Sequence, residues 1–113
     1  MMTEYDIISN GLMDSVKRQL NITWDDEDTN AKILDIMQDA EASMNYRIGQ
    51  EVDYSIPGME RRLYLNYVMY LWNDCVEEFD KAYRNDIYLV RRRYEVEGAK
   101  KDDSDKEEIQ DIQ

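Results

Sequence analysis

The stretch Leu63-Tyr64-Leu65-Asn66-Tyr67-Val68-Met69-Tyr70-Leu71-Trp72 limits what this chain can fold into more than any other. Only Asn66 interrupts an otherwise apolar and aromatic run. A helix on the surface of a globule needs one apolar stripe about 100° wide, whereas a helix that is apolar nearly all round must be covered on nearly all sides. Crossing a bilayer takes about 20 apolar residues, and Glu60, Arg61, Arg62 and Asp74 close this run at both ends. It therefore reads as the central helix of a soluble protein. A chain of 113 residues makes one domain, and small domains bury a limited share of their surface. The other segments are expected to wrap the central helix incompletely, leaving a neighbouring copy to complete the cover.

Flanking patterns place further helices around it. Residues 1–8 read as a frayed lead-in. A helix is expected over 10–20, starting at the capping-type residues Ser9 or Asn10, with Leu12, Val16 and Leu20 four apart and Met13 alongside. After the connection Asn21 to Trp24, the acids Asp25-Asp26-Glu27-Asp28 open a second helix. Carboxylates there complement the positive end of the helix dipole and accept bonds from its unpaired N–H groups. This helix is expected over 26–47, with Ile33, Met37, Ala40, Met44 and Ile48 on one face, Leu34 beside them and Gly49 to stop it.

Residues 49–58 hold the only proline and read as an internal loop. The third helix is expected over 59–80, with Cys75, Val76 and Phe79 facing inward beyond Trp72. A break near Tyr83-Arg84-Asn85-Asp86 precedes a last helix over 85–96, with Ile87, Val90 and Tyr94 on one side. From Gly98 the chain is charge-dense and poor in apolar residues, which predicts a flexible acidic tail over 98–113. No strand pattern and no internal repeat is present. The expected fold is all-α: a small bundle of three core helices plus a C-terminal helix or arm.

Fourteen basic against 26 acidic side chains give a net charge of −12. That is the reverse of a nucleic-acid footprint, and it would repel an anionic membrane surface. Its plain reading is solubility; its sharper one is a surface that must not stick to DNA. One cysteine and no histidine exclude an internal disulfide and a Cys/His zinc site. The N-terminus lacks the basic and apolar regions of a signal peptide, so a reducing cytoplasm is the expected compartment.

Candidate sites are few. Asp26, Asp28 and Asn30 match the first half of a calcium-binding loop, but Ala31 stands where glycine is needed and Met37 where the bidentate glutamate belongs. Helix capping accounts for them better. Cys75 has no histidine to activate it and reads as a buried small hydrophobe. The serines lack the usual base for the same reason. No phosphate loop or metal cluster accompanies the acids, so no catalytic residue, metal or cofactor is assigned and the chain is not expected to be an enzyme.

The aromatic surplus says more. Tyr54, Tyr64, Tyr67, Tyr70, Trp72, Tyr83, Tyr88 and Tyr94 exceed what one small core needs. They fit either the edge of the core, with hydroxyls in water, or a subunit interface, where tyrosine, tryptophan, methionine and arginine are enriched. Arg91, Arg92 and Arg93 form the only basic cluster and are expected to pair with acids of this chain or a neighbour.

Three segments together resemble a known family. Val16 through Asn30 (Val-Lys-Arg-Gln-Leu-Asn-Ile-Thr-Trp-Asp-Asp-Glu-Asp-Thr-Asn), followed by an amphipathic helix, is similar to the opening of head–tail connector (adaptor) proteins of tailed bacteriophages. Leu65-Asn66-Tyr67-Val68 through Leu71-Trp72-Asn73 looks like that family's aromatic central helix. Ile87-Tyr88-Leu89-Val90-Arg91-Arg92-Arg93-Tyr94-Glu95-Val96 is similar to its C-terminal segment. The likeness covers residues 10–97; the acidic tail matches nothing in it.

The resemblance implies a structural virion protein: a helical bundle forming a ring of about a dozen copies on the portal protein, with a stopper or tail-completion protein on the other side. DNA would pass through as cargo, without sequence-specific binding and with no membrane involved. The expected place is the virion head–tail interface, with assembly in host cytoplasm. Arg91, Arg92, Arg93, Tyr94, Glu95 and Val96 would make the portal or intersubunit contact, and Tyr64, Tyr67, Tyr70 and Trp72 would hold the bundle and meet the adjacent subunit. The competing reading is a small acidic phage regulatory or DNA-mimic protein that occupies a host protein.

Overall fold

Four helices follow one another as α1 (Leu12–Gln19), α2 (Glu27–Ile48), α3 (Met59–Trp72) and α4 (Val76–Ile112), with no strand among the described residues. The structure, a computed structural model, describes residues 11–112, with side chains as far as residue 98. The lead-in expected over 1–8 and the helix start at Ser9 or Asn10 lie outside the described residues. The protein is all-α.

Each connection follows from a local signal. Asp26 caps α2: its carboxylate accepts the Thr29 backbone N–H at 3.0 Å and the Thr29 hydroxyl at 3.0 Å. The acids of the failed calcium motif thus serve as a helix cap and first turn. Gly49 ends the helix in the left-handed conformation at φ 93°, which glycine adopts without steric cost. Helices α1 and α3 end by a common device. Asn21 (φ 58°) and Asp74 (φ 55°) take the left-handed conformation just past each helix. The next amide then reaches back into the last turn, Ile22 N–H to Lys17 O at 2.9 Å and Cys75 N–H to Tyr70 O at 2.9 Å.

That second turn corrects two expected boundaries. The chain breaks at residues 73–75 rather than near 83–86, so α3 ends at Trp72 and α4 begins at Val76. Asn85 and Asp86 are weak helix formers, but weak propensity costs only about 0.6 kcal/mol per residue. The inward stripe Val76, Phe79, Tyr83, Ile87, Val90, Tyr94 runs across them without a phase change. Cys75 consequently sits half-buried in the turn, not buried within a helix. The helical backbone also continues through Gly98 to Ile112, past the expected helix end at 96. A single glycine costs a helix about 1 kcal/mol and does not by itself stop it. At about 1.5 Å per residue, the 37 residues of α4 account for most of the 63 Å long axis of the molecule.

Helix α3 lies at the centre, packed against α1, α2 and α4. Its Leu63, Tyr64, Tyr67 and Val68 are buried, and no residue from 63 to 72 is fully exposed. The one polar residue of the run is also accounted for, since Asn66 Oδ1 accepts a bond from Gln19 Nε2 of α1 at 3.1 Å. From α2 the expected stripe Ile33, Met37, Ala40, Met44 and Ile48 is buried without exception. Leu12 and Val16 of α1 and Phe79 and Val90 of α4 complete the core. Its own chain thus buries one side of the central helix and leaves Leu65, Met69, Tyr70, Leu71 and Trp72 half-buried, while the fully exposed large apolar side chains lie elsewhere.

The loop contributes too. Tyr54 is fully buried and stacks on Tyr64 with ring centroids 4.7 Å apart. Its hydroxyl donates to Asn45 Oδ1 at 2.7 Å, and the same oxygen accepts the Val52 N–H at 3.2 Å. The loop is thus held at two points by the last turn of α2.

Candidate interaction surface

The aromatic residues fall into three groups by their place in the fold. Tyr54, Tyr64 and Tyr67 belong to the core; Tyr70, Trp72, Tyr83 and Tyr94 are half-buried at its edge. Tyr70 and Tyr83 meet edge to face at 6.0 Å, and Lys32 Nζ lies 4.6 Å above the Trp72 ring. Of the expected interface aromatics, Tyr64 and Tyr67 are therefore internal, while Tyr70 and Trp72 show only part of their rings. Aromatic rings that do face outward are Tyr46, 87% exposed, Tyr88, 60% exposed, and Trp24, 53% exposed.

Tyr46 and Tyr88 share a groove where the C-terminal end of α2 meets the outer side of α4. The groove has a volume of about 840 Å³. Its α4 wall follows the helical spacing Asp80, Arg84, Ile87, Tyr88, Arg91, Arg92, Glu95. The α2 wall is Tyr46 and Arg47. At the floor Arg47 meets Asp80 in a two-pronged pair, Nε to Oδ1 at 2.7 Å and Nη2 to Oδ2 at 3.0 Å. The guanidinium also lies 4.8 Å from the Tyr67 ring. Hydrogen bonding from Arg47 holds the Asp80 carboxyl below the usual aspartate range, and Asp80 in turn pushes the Arg47 guanidinium up.

The three arginines of the basic cluster separate by helical phase. Arg93 turns to α3 and bonds Glu60 Oε1 at 2.7 Å, while the Tyr94 hydroxyl lies 3.4 Å from Glu60 Oε2. Burial pushes the Tyr94 phenol up, and Glu60 adds to it. Arg92 is exposed and reaches Glu95 at 3.7 Å, one turn along its own helix. Arg91 is exposed on the groove and has no ion pair among the described residues. Glu95 is exposed, as is Val96 at 37%. Of the residues the resemblance assigns to a docking contact, Arg93 and Tyr94 thus tie α4 to α3, and Arg91, Arg92, Glu95 and Val96 point outward.

Sequence reading missed the groove because it split α4. Asp80, Arg84, Tyr88, Arg91 and Glu95 form one stripe only if the helix passes unbroken through 83–86. Tyr46 carried a weaker signal, an aromatic residue off the buried stripe of α2.

No group of three or more acidic or cysteine side chains among the described residues could hold a metal ion, and no described helix is long and apolar enough to cross a membrane. Comparison with protein-family models, curated proteins and solved structures found no match.

Proposed function

We propose that this chain is a structural connector, a helical subunit that joins a bacteriophage portal ring to the stopper or tail protein beyond it. The observation carrying this reading is the outward side of α4, where Leu89 (52% exposed) and Val96 (37% exposed) flank Arg92 after the bundle has satisfied its own core. Arginine is enriched at protein interfaces, and apolar side chains left exposed beside it on one helix face give a partner surface to cover. The anchoring of that helix by Arg93 to Glu60 suits an arm that must hold its angle while a partner grips it. A net charge of −12 suits a channel wall past which DNA slides without binding.

The test is binding to portal-bearing capsids by the full chain and by a double variant, Leu89→Ser with Val96→Ser, neither of which lines the groove between α2 and α4, with folding checked by circular dichroism. The connector reading expects the wild type to bind and the folded variant to lose at least tenfold in affinity. Equal binding by both removes α4 from the docking role. Absence of wild-type binding, together with a phage deletion that leaves heads and tails joined, would favour the acidic regulatory protein instead.

A further inference from the structure

We infer that the groove between α2 and α4 is a socket for the Trp24 to Asp28 corner of a second copy of this chain, so that copies join head to tail. The inference supplies surfaces for the ring in the connector reading and rests on that reading only for closure of the chain of copies into a ring.

The groove is an island of positive charge on an acidic protein. Arg84 and Arg91 stand on its α4 wall beside Tyr88, and Tyr46 faces them from α2. Asp80 takes both prongs of Arg47, and Glu95, also on the groove, lies 3.7 Å from Arg92, so Arg84 and Arg91 supply the charge left for a partner. Arginine, tyrosine and tryptophan are enriched among the residues that dominate binding energy at protein interfaces, and a guanidinium is attracted to the face of an aromatic ring. The required counterpart is an exposed aromatic residue set among acids.

The chain carries that element at the other end of α2. Trp24 is 53% exposed in the extended segment before the helix. Asp25, Asp26, Glu27 and Asp28 follow it directly, all exposed. Its indole N–H donates to Thr29 Oγ1 at 3.4 Å, so the ring is held against the first turn of the helix. Asp26 is engaged in capping and Asp25 lies 3.5 Å from Lys17, which leaves Glu27 and Asp28 to meet arginines of another molecule.

Geometry decides which molecule that is. The 22 residues of α2 separate corner from groove by about 33 Å of rigid helix. A chain therefore cannot seat its own Trp24 in its own groove. Two unlike surfaces at opposite ends of one subunit make a heterologous contact, which repeats from copy to copy and closes into a ring if the rotation permits.

The experiment uses sedimentation and native mass spectrometry on the full chain up to about 1 mM, the range of weak contacts, at low and high salt. The expected result for wild type is association beyond the dimer that weakens as salt rises. Arg84→Glu with Arg91→Glu closes the socket, and Trp24→Ala removes the plug; each variant alone should stay monomeric. Mixed together they should form a one-to-one heterodimer and nothing larger, because each keeps the surface the other lost. Wild type that stays monomeric throughout overturns the proposal. So does a wild-type dimer that goes no further, or association that both variants retain. If wild type binds nucleic acid through the arginines without associating, the socket serves another ligand and the proposal falls. Portal binding in the α4 outer-side variant is read separately, so the socket can fail while the connector reading stands, and the reverse.

Discussion

The ring of Tyr54, from the loop, lies on the ring of Tyr64, from the central helix, with centroids 4.7 Å apart and planes 14° from parallel. Both rings are fully buried, and each hydroxyl has a partner: Asn45 Oδ1 at 2.7 Å for Tyr54 and the Met37 carbonyl at 3.2 Å for Tyr64. The pair joins α2, the loop and α3 at one point, so the loop belongs to the core and not to the surface. Replacing Tyr54 with alanine should cost about 3–5 kcal/mol, the range for deleting a buried aromatic side chain. Tyr54→Phe keeps the stack and removes one hydrogen bond, for about 1 kcal/mol. Urea unfolding of the two variants checks the ratio; similar losses would mean that the hydroxyl, not the ring, dominates.

Alkaline pH should unfold the protein through these same rings. Burial is the first cause raising both phenols above their ordinary value of 10.0, with Glu41 adding to each. A raised folded-state pKa means that the stabilisation is complete below pH 10.0 and is lost as pH climbs above it, because only the unfolded chain can ionise these groups readily. Absorbance at the phenolate band and the circular-dichroism signal should therefore change together in a late step, and Tyr54→Phe should weaken that coupling.

The Arg47 and Asp80 pair works at the opposite limit. Its folded-state carboxyl is lowered from 3.8, so its contribution is fully present above that pH and disappears as pH falls through the lower folded value. The Asp80 side chain is 51% exposed, which screens the pair, and Asp80→Asn should cost about 0.5–1 kcal/mol at neutral pH. The same variant should show a smaller loss of stability than wild type between pH 4 and pH 2, on the order of the neutral-pH difference. Parallel acid-unfolding curves for the two proteins would show that the pair contributes nothing.

A proline at position 85 separates the observed helix from the expected break. Asn85 lies inside α4 and is exposed, so its side chain packs against nothing that a substitution would disturb. Asn85→Pro in an unbroken helix removes a backbone bond and clashes with the preceding turn, at about 3 kcal/mol or more. At a turn it would be nearly neutral. Thermal unfolding and helical content of the variant tell the two apart.

Much of this architecture is determined by sequence alone, because helix periodicity is local. The stripe from Ile33 to Ile48 needs no partner to be recognised, and every member of it is buried. The Asp26 cap and the Gly49 stop are equally local. Tertiary structure decided the rest. Periodicity tells which face of a helix is apolar but not what will cover it, so only the packing of α1, α2 and α4 decides that Leu63, Tyr64, Tyr67 and Val68 are buried while Leu65, Tyr70, Leu71 and Trp72 stay half-buried. Asn85 and Asp74 are both plausible break points by propensity; continuous packing of Tyr83, Ile87 and Val90 against the core carries the helix through the first, and the chain reverses at the second. The groove followed from that choice, since its arginines and Tyr88 share a face only on an unbroken α4, and Tyr46 joins them because α2 packs against α4 where Arg47 meets Asp80.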